Sequence, residues 1–355
     1  MKGKYILLSF LFSAIFAMSN FFTFGVIEAK TLRYSTPYGK TNPMTSSMQW
    51  FGKEFEKRTN GQYKAKFYFS GQMGKAPDMP ALCKTGAVDF IFTGMGYTPH
   101  IFKLNRGFEL MYITENPHAN GAALWELYHQ YEPVRKEWED AGLMMVFPAG
   151  IDIMACQSRT LIKGVQGIRG KKFRSYAGVA EMIKLWGGNP IALSYSEIYD
   201  ALNRGVLDGA FGIPSLNVYA SRFWEVAPYV FNTGAGIYAV TYFAISKRTY
   251  KSFPDDVKKI FQQLCKEGMK RHREWMVNTE RNVFKKLRKK KSIRIINWST
   301  EEKAKARDLA VPGIWKAWLD EMNQRNLPGE EFLNKYKTLV KKYEKIYPYQ
   351  NPYAY

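Results

Sequence analysis

The chain predicts an α/β protein of two similar lobes, with mixed sheets covered by helices and a hinge of crossing strands between them. Three observations carry this. Residues 31–69 alternate strand, helix and strand, the unit that builds parallel sheets covered by helices. A helix–glycine–strand device is used twice, as Lys84-Thr85-Gly86-Ala87-Val88-Asp89 and Asn203-Arg204-Gly205-Val206-Leu207-Asp208. The copies lie about 120 residues apart, far beyond the period of a solenoid. Two β-like runs, 151–157 and 237–246, sit where the chain would pass from one lobe to the other and back. Paired crossings make a hinge with a defined rotation, whereas one would make a tether.

The elements follow in order. Lys2 and Lys4 precede an apolar run from Tyr5 to Phe24, and Ile27-Glu28-Ala29 offers a small-residue cleavage site. That is the layout of a secretory signal peptide over 1–29, which predicts a periplasmic protein. The run is also long enough for an uncleaved anchor, but Ser13, Ser19, Asn20 and Thr23 interrupt it. No cysteine follows it for a lipid anchor, and nothing later resembles a membrane span. The remainder is ample for two cores. Cys83, Cys156 and Cys265 match no metal-ligand spacing and read as buried thiols.

Residues 31–35 alternate as a strand; Asn42-Pro43 starts a helix with Met44, Met48, Phe51 and Phe55 on one face, and Asn60-Gly61 ends it. Tyr63, Ala65, Phe67 and Phe69 mark the next strand. A helix at 79–84, stopped by Gly86, leads into a strand at 88–92. Helical spacing continues from Gly121 to Ala141, and Leu143–Phe147 is a buried strand. In such sheets the ligand sits beyond the carboxyl ends of strands. The residues just after strands therefore become candidates: Thr36, and Gly94, Met95 and Tyr97 in the run from Thr93 to Tyr97.

The stretch from Gly167 to Pro214 holds the sharpest candidate. Lys172–Tyr176 reads as a short strand with Arg174 inside it. An arginine in a sheet must find a partner or reach water. It is either a surface residue on an edge strand or a rigid planar fork in a cleft, fit to take a carboxylate bidentately. The helix at 195–203 and its cap Gly205 then deliver the strand beginning at Val206. Later, Ser252 with Asp255 and Asp256 reads as the start of a helix running to about Lys291. Ser299-Thr300-Glu301-Glu302 is a capping box for another, which Pro312-Gly313 would bend or break, and a last helix spans 330–347. The expected lobes are 30–151 with 238–281, and 152–237 with 282–355.

The formal net charge is +21, concentrated in 285–291 and 335–345. A nucleic-acid partner is disfavoured, because these lysines and arginines lie on the polar faces of packed helices and no stacking-aromatic motif accompanies them. A basic surface would still steer anionic solutes. The four histidines lack H-E-x-x-H spacing, and there is no G-x-S-x-G elbow, P-loop or dinucleotide turn. Asp152 and Asp208 are not placed together by anything in the sequence. Binding without chemistry, and without a cofactor or metal, is the expectation.

Five motifs in order carry a resemblance. They are Gly71-Gln72-Met73-Gly74, Gly86-Ala87-Val88-Asp89, Gly170-Lys171-Lys172-Phe173-Arg174, the run Glu197 to Gly209, and Phe253-Pro254-Asp255-Asp256-Val257. Together they resemble the extracytoplasmic solute-binding subunit of tripartite ATP-independent periplasmic (TRAP) transporters, the DctP-like family, over essentially the whole chain after residue 29. The resemblance implies the two-lobe periplasmic binding-protein fold with a long helix spanning both lobes. It implies an organic-acid ligand, a membrane permease as partner, and Arg174 as the carboxylate anchor. It also exposes departures. Met154 stands where many members have a second arginine, Phe211 or Gly212 where a ligand-contacting asparagine would fall, and Gly94 where some place a glutamate. Each lost polar group is a hydrogen bond the ligand need not match. The site is thus expected to take a monocarboxylate with an apolar or aromatic body, with Tyr38, Tyr97 and Tyr238 as candidate walls. An enzyme on the same scaffold and the binding component of a sensor are the alternatives.

Overall fold

The structure, a computed structural model, describes residues 29–150, 153–175, 178–193 and 195–354. The apolar run at the start of the chain and Asp152 lie outside the described residues. Among the described residues, eleven strands form two mixed sheets. The first contains β1 (Lys30–Ser35), β2 (Tyr63–Tyr68), β3 (Phe90–Gly94), β4 (Leu143–Gly150) and β10 (Val240–Ser246), in the order β2-β1-β3-β10-β4. The second contains β5 (Met154–Ser158), β6 (Lys172–Ser175), β7 (Asn189–Ala192), β8 (Gly209–Pro214), β9 (Tyr229–Asn232) and β11 (Arg294–Asn297), in the order β11-β9-β5-β8-β6-β7.

One rule organises both sheets. In the first, β10 runs antiparallel to both neighbours while β1, β2 and β3 are parallel. In the second, β5 is antiparallel to both β8 and β9, and the remaining pairs are parallel. The antiparallel strand in each is the one entered from a strand of the other sheet with no helix between, whereas β11 follows β10 through helices and is parallel to β9. The carboxyl ends of the parallel strands face the gap between sheets, so a strand entering from that gap must run the opposite way. Its first residues, Met154 in β5 and Val240 in β10, therefore lie beside the carboxyl ends of the others.

The helices are α1 (Ser46–Arg58), α2 (Met79–Thr85), α3 (Pro117–Gln130), α4 (Glu132–Asp140), α5 (Val179–Leu185), α6 (Ile198–Asn203), α7 (Ser215–Val218), α8 (Lys247–Lys251), α9 (Asp255–Arg288), α10 (Thr300–Gln324) and α11 (Gly329–Ile346). The repeated device has one construction in both sheets. Gly86 (φ 78) and Gly205 (φ 74) turn the chain after α2 and α6 in the left-handed region that glycine tolerates. The aspartate that follows then locks onto the neighbouring strand. Asp89 N–H donates to Arg33 O (2.9 Å) and its Oδ2 accepts from Arg33 N–H (2.9 Å). Asp208 N–H donates to Lys172 O (2.8 Å) and its Oδ2 accepts from Lys172 N–H (2.7 Å).

The long helix α9 serves both halves. Its Phe261 stacks edge-on against Phe51 of α1, with ring centroids 5.7 Å apart. Phe284 and Leu287 join a separate cluster with Ile153, Ile198 and Val230. Of the C-terminal helices α10 spans both halves, Ala306 and Ala310 packing with Trp186 and Phe231, and Trp318 and Met322 with Phe108 and Phe332. Ala306 O of α10 accepts from Trp186 Nε1 beside α5 (2.9 Å), whereas Phe332 and Tyr336 of α11 pack on Phe108, and Tyr336 Oη accepts from Asn120 of α3 (2.7 Å).

Three local expectations are corrected. The helix read at 121–141 begins earlier, at Pro117 under an Asn116 cap, and breaks at Tyr131, whose backbone is extended ahead of Pro133. Ser252 closes α8 instead of opening α9, which starts at Asp255. Helix α10 runs unbroken through Pro312, which forfeits one internal hydrogen bond while Ala306, Ala310, Trp318 and Met322 bury its face. The three cysteines are buried free thiols.

Candidate functional site

A cavity of about 390 Å³ opens between the two sheets. The first sheet contributes Gly94 at the end of β3, Gly96 and Tyr97 after it, and Val240 and Thr241 at the start of β10. The loop after β1 adds Tyr38, Asn42 and Met44. The second sheet contributes Met154 of β5, Arg174 of β6, Gly212 and Pro214 of β8, and Asn217 of α7. These are strand ends meeting across a gap, as the antiparallel entry of β5 and β10 requires.

Arg174 is the charged group of the second wall, and it is 94% buried, with only 6% of its surface exposed. Its neighbour Phe173 points to the opposite face of β6 and packs on Phe211, the ordinary alternation of a strand. The guanidinium is held rigidly: Nε donates to Leu193 O (3.0 Å), and Nη1 to Phe211 O (3.2 Å) and Gly212 O (3.4 Å). Gly212 makes the last contact with φ 75, a conformation that L side chains rarely adopt. The fork is thus oriented by the backbone of two strands before any ligand arrives.

Opposite it, Glu109 brings a carboxyl to the cavity from the turn Asn105–Glu109. Its Oε1 accepts from Val240 N–H at 2.9 Å. Burial pushes its pKa up to about 7, opposed by the Val240 N–H, by the Arg106 charge and by the Gly96 N–H. The Tyr97 phenol is raised by burial, with Arg174 opposing and Glu109 adding, so it lies within electrostatic reach of both. Its ring sits at the rim, 44% exposed. Gly94 leaves room for this ring: a Cβ there would meet Tyr97 at 3.1 Å and the Tyr38 hydroxyl at 3.5 Å.

Of the residues expected from sequence, Arg174, Met154, Gly94, Gly212 and Tyr97 line the cavity, together with Tyr38. Four lie elsewhere. Thr36 is fully buried and supports the wall from behind, its Oγ1 accepting from Tyr38 N–H (3.3 Å). Met95 turns away into a core with Ile91, Phe102 and Tyr242. Phe211 is buried among Phe173, Trp186 and Phe231, so it reaches the site only through its carbonyl oxygen. Tyr238 lines a separate cavity of about 190 Å³ beside Arg106 and Trp318, on whose rim Glu109 also lies.

Sequence reasoning missed Glu109 and Asn217. Glu109 lies in a long irregular segment with no periodicity to place it. Asn217 had a signal, because it follows the carboxyl end of β8, as Tyr97 follows β3. Its Oδ1 is buried and has no hydrogen-bond partner among the described residues.

Residues 34–321 match the model of the bacterial extracellular solute-binding proteins, family 7 (DctP). The chain belongs to this family. It is a family of non-enzymatic TRAP solute-binding proteins. The Salmonella typhimurium protein YiiZ is 26% identical over 204 residues, 53% of this chain and 58% of that one. A TRAP solute-binding protein from Rhodoferax ferrireducens, solved with copurified benzoate, is similar in structure at TM-score 0.79 and 23% identity, covering 89% of this chain and 99% of its own. Another from a Sulfitobacter species, with bound β-D-galacturonate, matches at TM-score 0.75 and 19% identity, covering 87% and 100%. These likenesses establish the two-lobe α/β fold. Among the described residues, no group of three or more His, Cys, Asp or Glu side chains could hold a metal, and no helix is long and apolar enough to cross a membrane.

Proposed function

We propose that this TRAP solute-binding protein captures a small organic acid with an apolar or aromatic body in the interlobe cavity and delivers it to a membrane permease. The observation that carries the reading is Arg174: a buried guanidinium at the wall, pre-oriented by three carbonyl bonds. A planar fork so held recognises a carboxylate at little further entropic cost. The volume, about 390 Å³, falls in the range of sites that enclose a small molecule. Met44, Met154, Pro37, Pro214 and Ala239 supply apolar wall, which favours apolar ligand surface. The ligands of the relatives, benzoate in one and galacturonate in another, are both carboxylates and differ in the body attached. The proposed cycle is capture in an open cleft, pairing with Arg174, then rotation of the lobes that expels water and strengthens the pair. In this reading residues 1–29 export the chain to the periplasm and are removed.

The test is calorimetric titration of residues 30–355 with benzoate, galacturonate and succinate. Saturable binding of benzoate, with galacturonate and succinate at least tenfold weaker, supports the reading. Galacturonate or succinate as the tightest ligand would overturn the apolar-body part, and no binding by any acid would overturn the acid reading itself.

A further inference from the structure

We propose that Glu109 is a second ligand anchor, which selects organic acids carrying a hydrogen-bond donor, a hydroxyl or an ammonium group, away from their carboxylate. The inference rests on the acid-binding reading above and narrows its ligand class.

Glu109 shares the cavity with Arg174, and the two come from different sheets' layers. Its carboxyl is held as an acceptor by Val240 N–H at 2.9 Å, and the Gly96 N–H acts on it electrostatically. The approach to Gly96 is close: a Cβ there would lie 3.4 and 3.5 Å from the two carboxylate oxygens. A carboxylate has about four lone-pair positions and the Val240 bond takes one, so the group can accept more. No ion pair includes Glu109 among the described residues, although the Arg106 charge acts on it. A ligand with a wholly apolar body would close over this carboxyl and leave it desolvated beside an apolar surface, which is costly. A ligand donor removes that cost.

A second, independent observation points the same way. Asn217, on the opposite wall, also lines the cavity, and its buried Oδ1 has no partner among the described residues. The cavity thus offers one planar cation and two further acceptor oxygens. The complementary solute has one carboxylate and at least one N–H or O–H. Sites built to hydrogen-bond a substrate hydroxyl or amine discriminate strongly against the analogue that lacks it, because their own polar groups are left unpaired.

The experiment is calorimetry on residues 30–355 with a matched set: benzoate, 3-hydroxybenzoate and 3-(aminomethyl)benzoate. The wild-type protein should bind at least one donor-bearing acid about tenfold or more tighter than benzoate. In the Glu109→Gln variant that preference over benzoate should shrink by about tenfold for the ammonium acid. If the acids bind but benzoate equals or exceeds both donor-bearing acids in the wild type, this inference is overturned and the acid reading stands. That comparison needs no variant, so a poorly folding Glu109→Gln would not rescue it. An unchanged preference in a folded Glu109→Gln protein would likewise overturn it. Failure of all three acids to bind would overturn the acid reading, and this inference with it.

Discussion

Replacing Arg174 by lysine keeps the charge and removes the fork, so it separates the two things the guanidinium does. In the wild-type protein Nε and Nη1 hold three carbonyls, those of Leu193, Phe211 and Gly212. A single ammonium at the end of a flexible stem can keep about one of these. The two abandoned carbonyls should cost about 2 kcal/mol together, at roughly 1 kcal/mol net per bond. That is a visible fraction of a total of about 5–15 kcal/mol, but it leaves the protein folded. For the ligand, exchanging a bidentate contact for a point charge loses about one charge-assisted bond, worth roughly 1.5–3 kcal/mol. The dissociation constant for the preferred acid should therefore rise about 10- to 150-fold. Full truncation to alanine should cost more, about 2–5 kcal/mol of binding, and would leave all three carbonyls unpaired. Urea unfolding of the unliganded protein reads the first quantity and calorimetry reads the second. If Arg174→Lys binds within threefold of the wild type, the carboxylate is anchored elsewhere. If its unliganded stability is unchanged, the three carbonyl bonds are not what orients the fork.

Three more outcomes follow from the same structure. Asp89→Ala should destabilise by about 3 kcal/mol, because Asp89 accepts from Arg33 N–H, Arg33 Nε and Thr249 Oγ1, whereas Asp208→Ala, losing only the Lys172 N–H bond, should cost about 1 kcal/mol. Equal losses in urea unfolding would refute the view that the first copy of the device is the more deeply tied. His118 is buried, and burial first, then Arg273 and His272, lower its pKa from 6.5 to about 4. The unfolded chain therefore takes up a proton that the folded one refuses. Stability from this group is complete above pH 6.5, falls as pH drops toward 4, and amounts to about 3 kcal/mol over that window. His118→Phe should flatten this part of the stability profile between pH 7 and pH 4.5, and an unchanged slope would rule the assignment out. Finally, Gly212→Ala places a side chain at φ 75, at a cost of about 1–2 kcal/mol, and displaces a carbonyl that holds Arg174. Its melting temperature and its affinity for the acid should fall together; a loss of stability with affinity intact would show that Arg174 does not depend on this bond.

Much of this molecule is written in local pattern. The duplicated turn with Gly86 and Gly205 was legible because αL caps demand glycine; that its aspartates lock onto the neighbouring strand only the structure shows. Arg174 was legible as a charge in a strand that had to be resolved by a partner or a cavity. Boundaries were read less well where two prolines acted against expectation. Pro133 split a helix that looked continuous, while Pro312 was absorbed by a helix whose face is buried on both sides of it.

The remaining site residues depended on which strands come together. Periodicity says which face of a strand a residue takes but not what lies across a gap, so Met95 and Phe211, adjacent to true wall positions, turn into cores instead. Glu109 belongs to an irregular segment and meets Gly96 and Val240 only because β3 and β10 pair, Thr241 lying opposite Gly94. The sequence by itself determined two α/β lobes, their paired crossing and an arginine set within a strand, because each of these is a short-range consequence of turn chemistry and hydrophobic spacing. Tertiary structure decided the second polar wall, because a contact between segments 131 residues apart, Glu109 and Val240, is made by sheet pairing and leaves no local trace in either segment.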